Sequence, residues 1–389
     1  MMDRLLVIHF DPEMPCQSCD YSYFNNNSGE IHEDRRKKIA IVGGGNWGCA
    51  IACIVGRTVK AQDHMFQPIV SMWCRDSRKS GDTSPSIADV INCTHENPKY
   101  LPGRRIPDNV IATSSLLNAC ESADILILVV PHQGISKICS ELKGKLRKDA
   151  YAVSLTKGIS SIFENNVIKM QLISDGIEES LGIECSVLMG ANLAGEVADG
   201  KFCEATIGCK SLVNGEELKN LFATPNFRIR VTADFEAVEL CGALKNIVAC
   251  AAGFADGLGW AYNVKSAIIR LGLLETKKFV EYFYPSSIGH TYFESCGVAD
   301  LITTCYGGRN RRVAEAFIKS DKQLHEVEHA LLKGQSAQGP PTARDVFEML
   351  KNHKLAENFP IFTSVHKVFS GEHGAKELYD SLRNHPEYE

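Results

Sequence analysis

Three groups of residues in this chain have the types and spacing for chemistry. The first is Gly43-x-Gly45-x-x-Gly48, reached through the run Ile39, Ala40, Ile41, Val42. A short β-type run feeds straight into the glycines, and Ile51, Ile54 and Val55 then recur at helical spacing. That order is what a dinucleotide-binding turn requires. Gly43 permits the tight turn, Gly45 lets backbone approach a pyrophosphate, and Gly48 lets the helix pack close to the strand. Free N–H groups at the helix start, with the helix dipole, favour an anion there. The second group is charged residues in apolar surroundings. Lys245 sits within Leu240 to Cys250, among small and apolar neighbours, with Asn246 beside it as a neutral donor and acceptor. A buried ammonium needs a partner, or its pKa falls, and either outcome suits a general acid for a carbonyl oxygen. The competing reading is a lysine snorkelling from a helix edge. Asp300, within Ser295 to Thr304, is either the partner of Lys245 or a helix cap. Thr304 follows it at i+4, on the same helical face. The third group is Gly307, Gly308, Arg309 and Asn310. Two glycines allow close backbone approach, and the arginine fork suits a phosphate. Otherwise the segment opens a helix with a solvated basic face through Arg311 and Arg312. Lys157 directly follows a buried strand and reads as a solvated loop charge or an anion holder.

Strands and helices that alternate are needed to hold these groups. Strands are predicted at Pro68 to Trp73, Asp124 to Val130, Tyr151 to Leu155, Ser186 to Met189, Ala205 to Gly208 and Phe227 to Val231. The continuous apolar run ending at Val130 is that of a strand covered on both faces, as in a parallel sheet. Asn97 to Asp108 is rich in Pro and Gly and reads as a loop. Gly43 to Gly48, Pro131-His132-Gln133 and Thr156-Lys157-Gly158 then lie at strand carboxyl ends, where ligands collect in open parallel sheets. Past residue 232 the pattern is helical. Glu236 to Gly253, rich in Ala, Gly and Cys, reads as a central helix whose small residues allow close packing. Helices are also predicted at Val264 to Glu281, Val313 to Phe317, Lys322 to Leu332, Thr342 to Leu350 and Phe362 to Phe369. The expected fold class is α/β: a doubly wound, Rossmann-type domain over 37–230 followed by an all-helical domain over 231–389. Residues 1–36 read as a polar, flexible extension.

Composition narrows the function. The net charge is −5, so no strong basic field marks nucleic acid or an anionic membrane as a main partner. No apolar run reads as long enough to span a bilayer. Leu5 to Ile8 is too short for a signal-peptide core, being cut by His9 and Asp11, so a cytoplasmic protein is expected. The cysteines number 15, an odd count, and reduced thiols are expected. Cys16-x-x-Cys19 has no second pair at finger spacing, so no metal site is expected. Asn26-Asn27-Ser28 and Asn92-Cys93-Thr94 are glycosylation sequons that a cytosolic protein leaves bare.

Together these segments resemble the cytosolic NAD-dependent glycerol-3-phosphate dehydrogenases of eukaryotes. The matching stretches are Ile41 to Gly48, Asp124 to Gln133, Val187 to Ala198, Cys241 to Asn246, and Glu294 to Asn310, within a likeness running from Lys37 to the C-terminus. The resemblance implies NADH-dependent, reversible reduction of dihydroxyacetone phosphate to sn-glycerol 3-phosphate by a homodimer. It implies that Gly43, Gly44, Gly45, Asn46, Trp47 and Gly48 form the pyrophosphate loop, with further cofactor contacts at Ala194, Arg309 and Gln338. It makes Lys245 the catalytic lysine, with Asn246, Asp300 and Thr304 in the same site. Lys157, Arg309 and Asn310 become substrate binders, the last two at the phosphate.

Three positions depart from the pattern. Related enzymes often carry Phe at the positions of Gly134 and Arg75, and Lys at that of Ser336. The first two changes weaken apolar packing around the cofactor, and the third removes a phosphate contact. Arg75, Arg78 and Lys79 also stand near the expected ribose end, where Asp76 is the acid, and a basic group there suits a 2′-phosphate. Two other readings are a related hydroxy-acid dehydrogenase and a catalytically silent NAD-binding regulator. Gly307 to Asn310 suits a phosphate better than a carboxylate, and the intact Lys157, Lys245, Asp300 and Arg309 speak against silence.

Overall fold

A computed structural model describes residues 34–78, 81–164, 167–287, 289–332 and 336–388. Residues 1–33, with Cys16-x-x-Cys19 and the first sequon, and also Lys79, lie outside the described residues.

Twelve strands occur among the described residues, in chain order: β1 (Lys37–Val42), β2 (Phe66–Trp73), β3 (Glu96–Asn97), β4 (Leu101–Arg105), β5 (Val110–Thr113), β6 (Ile125–Leu128), β7 (Tyr151–Ser154), β8 (Ser160–Glu164), β9 (Val167–Gln171), β10 (Cys185–Met189), β11 (Cys203–Gly208) and β12 (Phe227–Thr232). Eight of them form one sheet in the order β12-β11-β10-β7-β6-β1-β2-β5. Neighbours from β5 through β10 run parallel. The two faces of β1 show why the sheet is doubly wound. Ile39 and Ile41 enter one apolar cluster with the Asn46–Ala61 helix, while Ala40 and Val42 enter another with Ile138 and Leu142 of the Ile135–Leu142 helix. The apolar run behind β6 is accordingly buried at all four strand positions.

Two features depart from the sequence expectation. β11 runs antiparallel to β10, with β12 parallel to β11, so one edge of the sheet is reversed. The link between β10 and β11 carries only the short Ala194–Ala198 helix and returns the chain beside its own strand. The Asn97 to Asp108 stretch, read as a loop, holds β4, paired antiparallel with β3. Pro102 and Gly103 inside β4 hid it, because both residues ordinarily interrupt a strand.

After β12 the described chain is helical and without strands. The Phe235–Gly257 helix lies at the centre, buried from Ala237 to Ala255. Its length and composition suffice to cross a membrane, which corrects the expectation that no run reaches that length, but its most apolar stretch is wholly buried inside the fold. Around it pack Tyr262–Phe283, Arg309–Ile318, Gly339–Asn352 and Pro360–Ser370. Close approach is why small residues recur here: a Cβ on Gly253 would come within 2.3 Å of Arg311 O. The buried Cys49, Cys53, Cys74, Cys139 and Cys250 are free thiols and pack as small apolar groups.

Candidate active site

The glycine loop follows β1 and starts the Asn46–Ala61 helix, with Gly45 as N-cap. Gly43 has φ +129°, a region L side chains rarely adopt, and a Cβ there would lie 2.3 Å from Val129 O. A Cβ on Gly48 would lie 1.9 Å from Gly43 O. Gly45 differs: its Cβ position is open, with nothing within 4 Å. No side chain caps the helix, so its first N–H groups remain for an outside anion. An open cradle over uncapped N–H groups fits a dinucleotide pyrophosphate. Asn97 fixes the loop from the β3–β4 side, its Nδ2 donating to Gly44 O at 2.9 Å.

The second centre is built on the core helix. Lys245 Nζ donates to Asp300 Oδ1 and, at 2.7 Å, to Thr304 Oγ1. Asp300 and Thr304 stand one turn apart on the Asp300–Gly307 helix, and the Thr304 hydroxyl donates back to Asp300 O at 2.7 Å. Asp300 Oδ2 takes Lys157 Nζ at 2.8 Å. Two lysines thus share one carboxylate whose side chain is 3% exposed. Asp300 does not cap its helix; it serves the lysines. Burial pushes the Lys245 ammonium well below the usual lysine range; Asp300 opposes that, and the second positive charge of Lys157 adds to it. Lys157 also reaches Gly190 O at 3.4 Å.

Asn246 is adjacent in sequence to Lys245 but turned away by about 100° of helix. It accepts from Asn310 Nδ2 at 2.7 Å through its Oδ1 and donates to Gly242 O at 3.4 Å, with no hydrogen bond to Lys245. Asn310 Oδ1 in turn receives Gly339 N at 2.8 Å. Asn246, Asn310 and Gly339 therefore tie three helices into one unit. Arg309 opens its helix behind the Gly308 N-cap; its surface is open to solvent on one side, and crowding by protein lowers its pKa. Gln338 precedes the Gly339–Asn352 helix and receives Gln133 Nε2 at 3.4 Å, which brings the segment after β6 against the helical part. Its own Nε2 donates to Ser336 Oγ at 2.9 Å. Ala194 opens its short helix, half-buried against the cluster around β1. Gly134 borders open space. Among the described residues no hydrogen bond or ion pair joins the Lys245 cluster directly to the Asn46–Ala61 helix start.

Of the residues that position these groups, Asn97 and Ser295 escape sequence reading, whereas His132 lies in the Pro131-His132-Gln133 segment placed at a strand carboxyl end. Ser295 donates to Glu204 O at 2.7 Å and receives Ala191 N at 3.3 Å, anchoring the chain after Gly190. His132 stands against Gly158, whose φ is +150° and whose Cβ would lie 2.9 Å from His132 Nδ1. Polar residues ordinary in kind, such as Asn97 and Ser295, carry no sequence signal that separates them from other Asn and Ser. No group of three or more His, Cys, Asp or Glu suited to a metal occurs among the described residues.

Comparison with known proteins agrees with this geometry. Residues 38–214 match the model of the NAD-dependent glycerol-3-phosphate dehydrogenase N-terminus, and residues 234–380 that of the C-terminus. A probable glycerol-3-phosphate dehydrogenase 2 of Caenorhabditis elegans is 54% identical over 375 residues, 95% of each chain. The human cytoplasmic glycerol-3-phosphate dehydrogenase [NAD(+)] is 51% identical, covering 90% of this chain and 99% of its own. The solved glycerol-3-phosphate dehydrogenase of Saccharomyces cerevisiae superposes with a TM-score of 0.81 at 39% identity, over 90% of this chain and all of that one. The chain belongs to the NAD-dependent glycerol-3-phosphate dehydrogenase family.

Proposed function

We propose that the chain reversibly reduces dihydroxyacetone phosphate to sn-glycerol 3-phosphate, with Lys245 as proton donor to the carbonyl oxygen. The observation that carries this reading is the buried Lys245–Asp300–Lys157 arrangement with Thr304 beside it. An ammonium has three N–H bonds. Two are taken by Asp300 and Thr304, which leaves one for a ketone oxygen as negative charge develops there. Gly43 to Gly48, Ala194, Arg309 and Gln338 would hold NADH, which when bound would supply the hydride for the ketone carbon. Asp300 holds the charge and direction of Lys245, and Lys157 reaches the substrate from the same carboxylate. Arg309 and Asn310 grip the phosphate, and that remote binding energy positions the carbonyl. Asn246 acts here through Asn310, by fixing its amide. In the reverse direction Lys245 takes the alcohol proton.

The chain divides on this reading into a cofactor-holding part, 37–230, and a helical substrate part, 231–389, with β12 and the core helix at the junction. The relatives named cytoplasmic support the same location for this chain. The same reading includes a homodimer, for which Ile302 and Tyr306, exposed at i,i+4 on one helix face, offer apolar surface; sedimentation velocity checks this.

The deciding assay follows NADH oxidation with dihydroxyacetone phosphate and with unphosphorylated dihydroxyacetone. Turnover at low concentration of the phosphorylated ketone alone is the expected result. Equal KM values for both ketones overturn phosphate recognition, and no turnover with either overturns the enzyme reading in favour of a silent cofactor-binding regulator.

A further inference from the structure

We propose that the cofactor site also takes a dinucleotide phosphorylated at the adenosine ribose 2′ position, with Arg75 receiving that phosphate; the inference rests on the dehydrogenase reading above. β2 lies beside β1, parallel and in register at Val42 and Trp73. Gly43 N donates to Trp73 O at 3.1 Å, and a Cβ on Gly44 would lie 2.3 Å from Cys74 Sγ. The chain leaving β2 therefore touches the glycine loop, and Arg75 is its next residue, exposed. In sheets wound this way the adenosine ribose comes to this strand end. There an acid that accepts the 2′-hydroxyl selects NAD, and an arginine accommodates a 2′-phosphate.

The acid here, Asp76, is already filled. Its Oδ1 receives Arg78 Nε at 3.0 Å and Arg78 N at 3.0 Å, and its Oδ2 receives Arg78 Nη2 at 2.6 Å. Those bonds hold its carboxyl well below the usual carboxylate range, at about 2, so it stays ionised and paired. Arg78 is committed as well, its Nη1 donating to Ser84 O at 2.7 Å. The other two acids of the segment are spent locally: Asp82 on Ser84 N, and Asp89 on the capping box with Ser86. Among the described residues Arg75 makes no hydrogen bond and no ion pair. The strand end thus presents an uncommitted guanidinium beside a saturated carboxylate. That is the reverse of an arrangement that excludes a 2′-phosphate, and a guanidinium binds phosphate through paired, charge-assisted hydrogen bonds.

The full chain tests this by calorimetry with adenosine 2′,5′-bisphosphate against 5′-AMP, and by fluorescence titration with NADPH against NADH. NADPH is expected to bind within about a hundredfold of NADH, and the bisphosphate about tenfold tighter than 5′-AMP, an advantage that shrinks as salt is raised. Arg75→Ala is expected to lower both ratios about tenfold, while Arg228→Ala, on exposed β12 surface, leaves them unmoved. NADPH weaker than about a hundredfold, a bisphosphate no tighter than 5′-AMP, or ratios unchanged by Arg75→Ala overturn the assignment to Arg75, and bound NADH would still uphold the dehydrogenase reading. Failure of NADH itself to bind overturns both.

Discussion

In the proposed mechanism Lys245 works only as long as its neighbours hold it both charged and aimed. Lys245→Ala removes the donor without touching the glycine loop, so kcat is expected to fall by about 10² to 10⁴ while NADH still binds in fluorescence titration. Lost NADH binding would contradict the role given to the lysine. The shared carboxylate makes a sharper prediction. On the proposed mechanism ketone reduction needs Lys245 protonated, so its rate is expected to fall as pH rises through the lysine's lowered pKa, and alcohol oxidation to rise over the same interval. Lys157→Met takes away a like charge that contributes to the lowering and leaves Asp300 to Lys245 alone. The break in kcat, at saturating ketone, should then move to higher pH, and a break that stays in place sinks the coupling. Of this centre, the charged members were legible in the sequence, because Lys245 and Asp300 are conspicuous among apolar neighbours. That Asp300 serves two lysines was not, since Lys157 lies 143 residues away and only the fold brings it in. Nor was the turn of Asn246 toward Asn310, for which the rotation between successive helical residues is responsible.

At the scale of elements, the three glycines of the turn have separate physical jobs. Gly48→Ala would drive a methyl to 1.9 Å from Gly43 O. Backbone cannot yield that far, and a loss of more than about 2 kcal/mol is expected in chemical denaturation. Gly45→Ala meets open space at an ordinary φ of −76°, so the melting temperature should hold. Its methyl instead fills the cradle over the helix start, and NADH affinity is expected to fall about tenfold or more by titration. If Gly45→Ala binds NADH like the parent chain, the pyrophosphate does not lie there. The long, periodic or fully apolar elements were readable, β6 and the Phe235–Gly257 helix above all. The β3–β4 hairpin was not, for Pro102 and Gly103 carry turn signals that tertiary pairing overrides. The reversed pairing of β11 with β10 likewise depends on which neighbour a strand finds, a matter on which its own residues are silent.

For the whole molecule, the proposed mechanism requires that the sheet and the core helix keep one fixed relation, since Lys157 comes from one and Lys245 from the other. Glu239 is one of the ties. It lies on the core helix, 1% exposed, and accepts from Ile173 N at 2.7 Å, Ser174 N at 3.3 Å and Ser174 Oγ at 2.5 Å, so it closes the start of the Ile173–Leu181 helix on the sheet side. Burial is the largest influence on it and raises its pKa to about 7, against hydrogen bonds that pull the other way. The folded state therefore binds this proton more tightly than the unfolded chain, whose glutamate titrates near about 4.3. Stability from the group is complete below that lower value and is lost as pH rises to about 7, at up to about 1.4 kcal/mol per pH unit, after which it stays level. Other groups titrate in the same interval, so the comparison is with Glu239→Gln, which keeps an acceptor and cannot ionise. Between about pH 4.5 and about 7 the parent chain should lose stability relative to the variant, measured by urea denaturation at each pH. Parallel pH curves for the two proteins would mean that Glu239 keeps its charge in the folded state and that its three hydrogen bonds outweigh its burial.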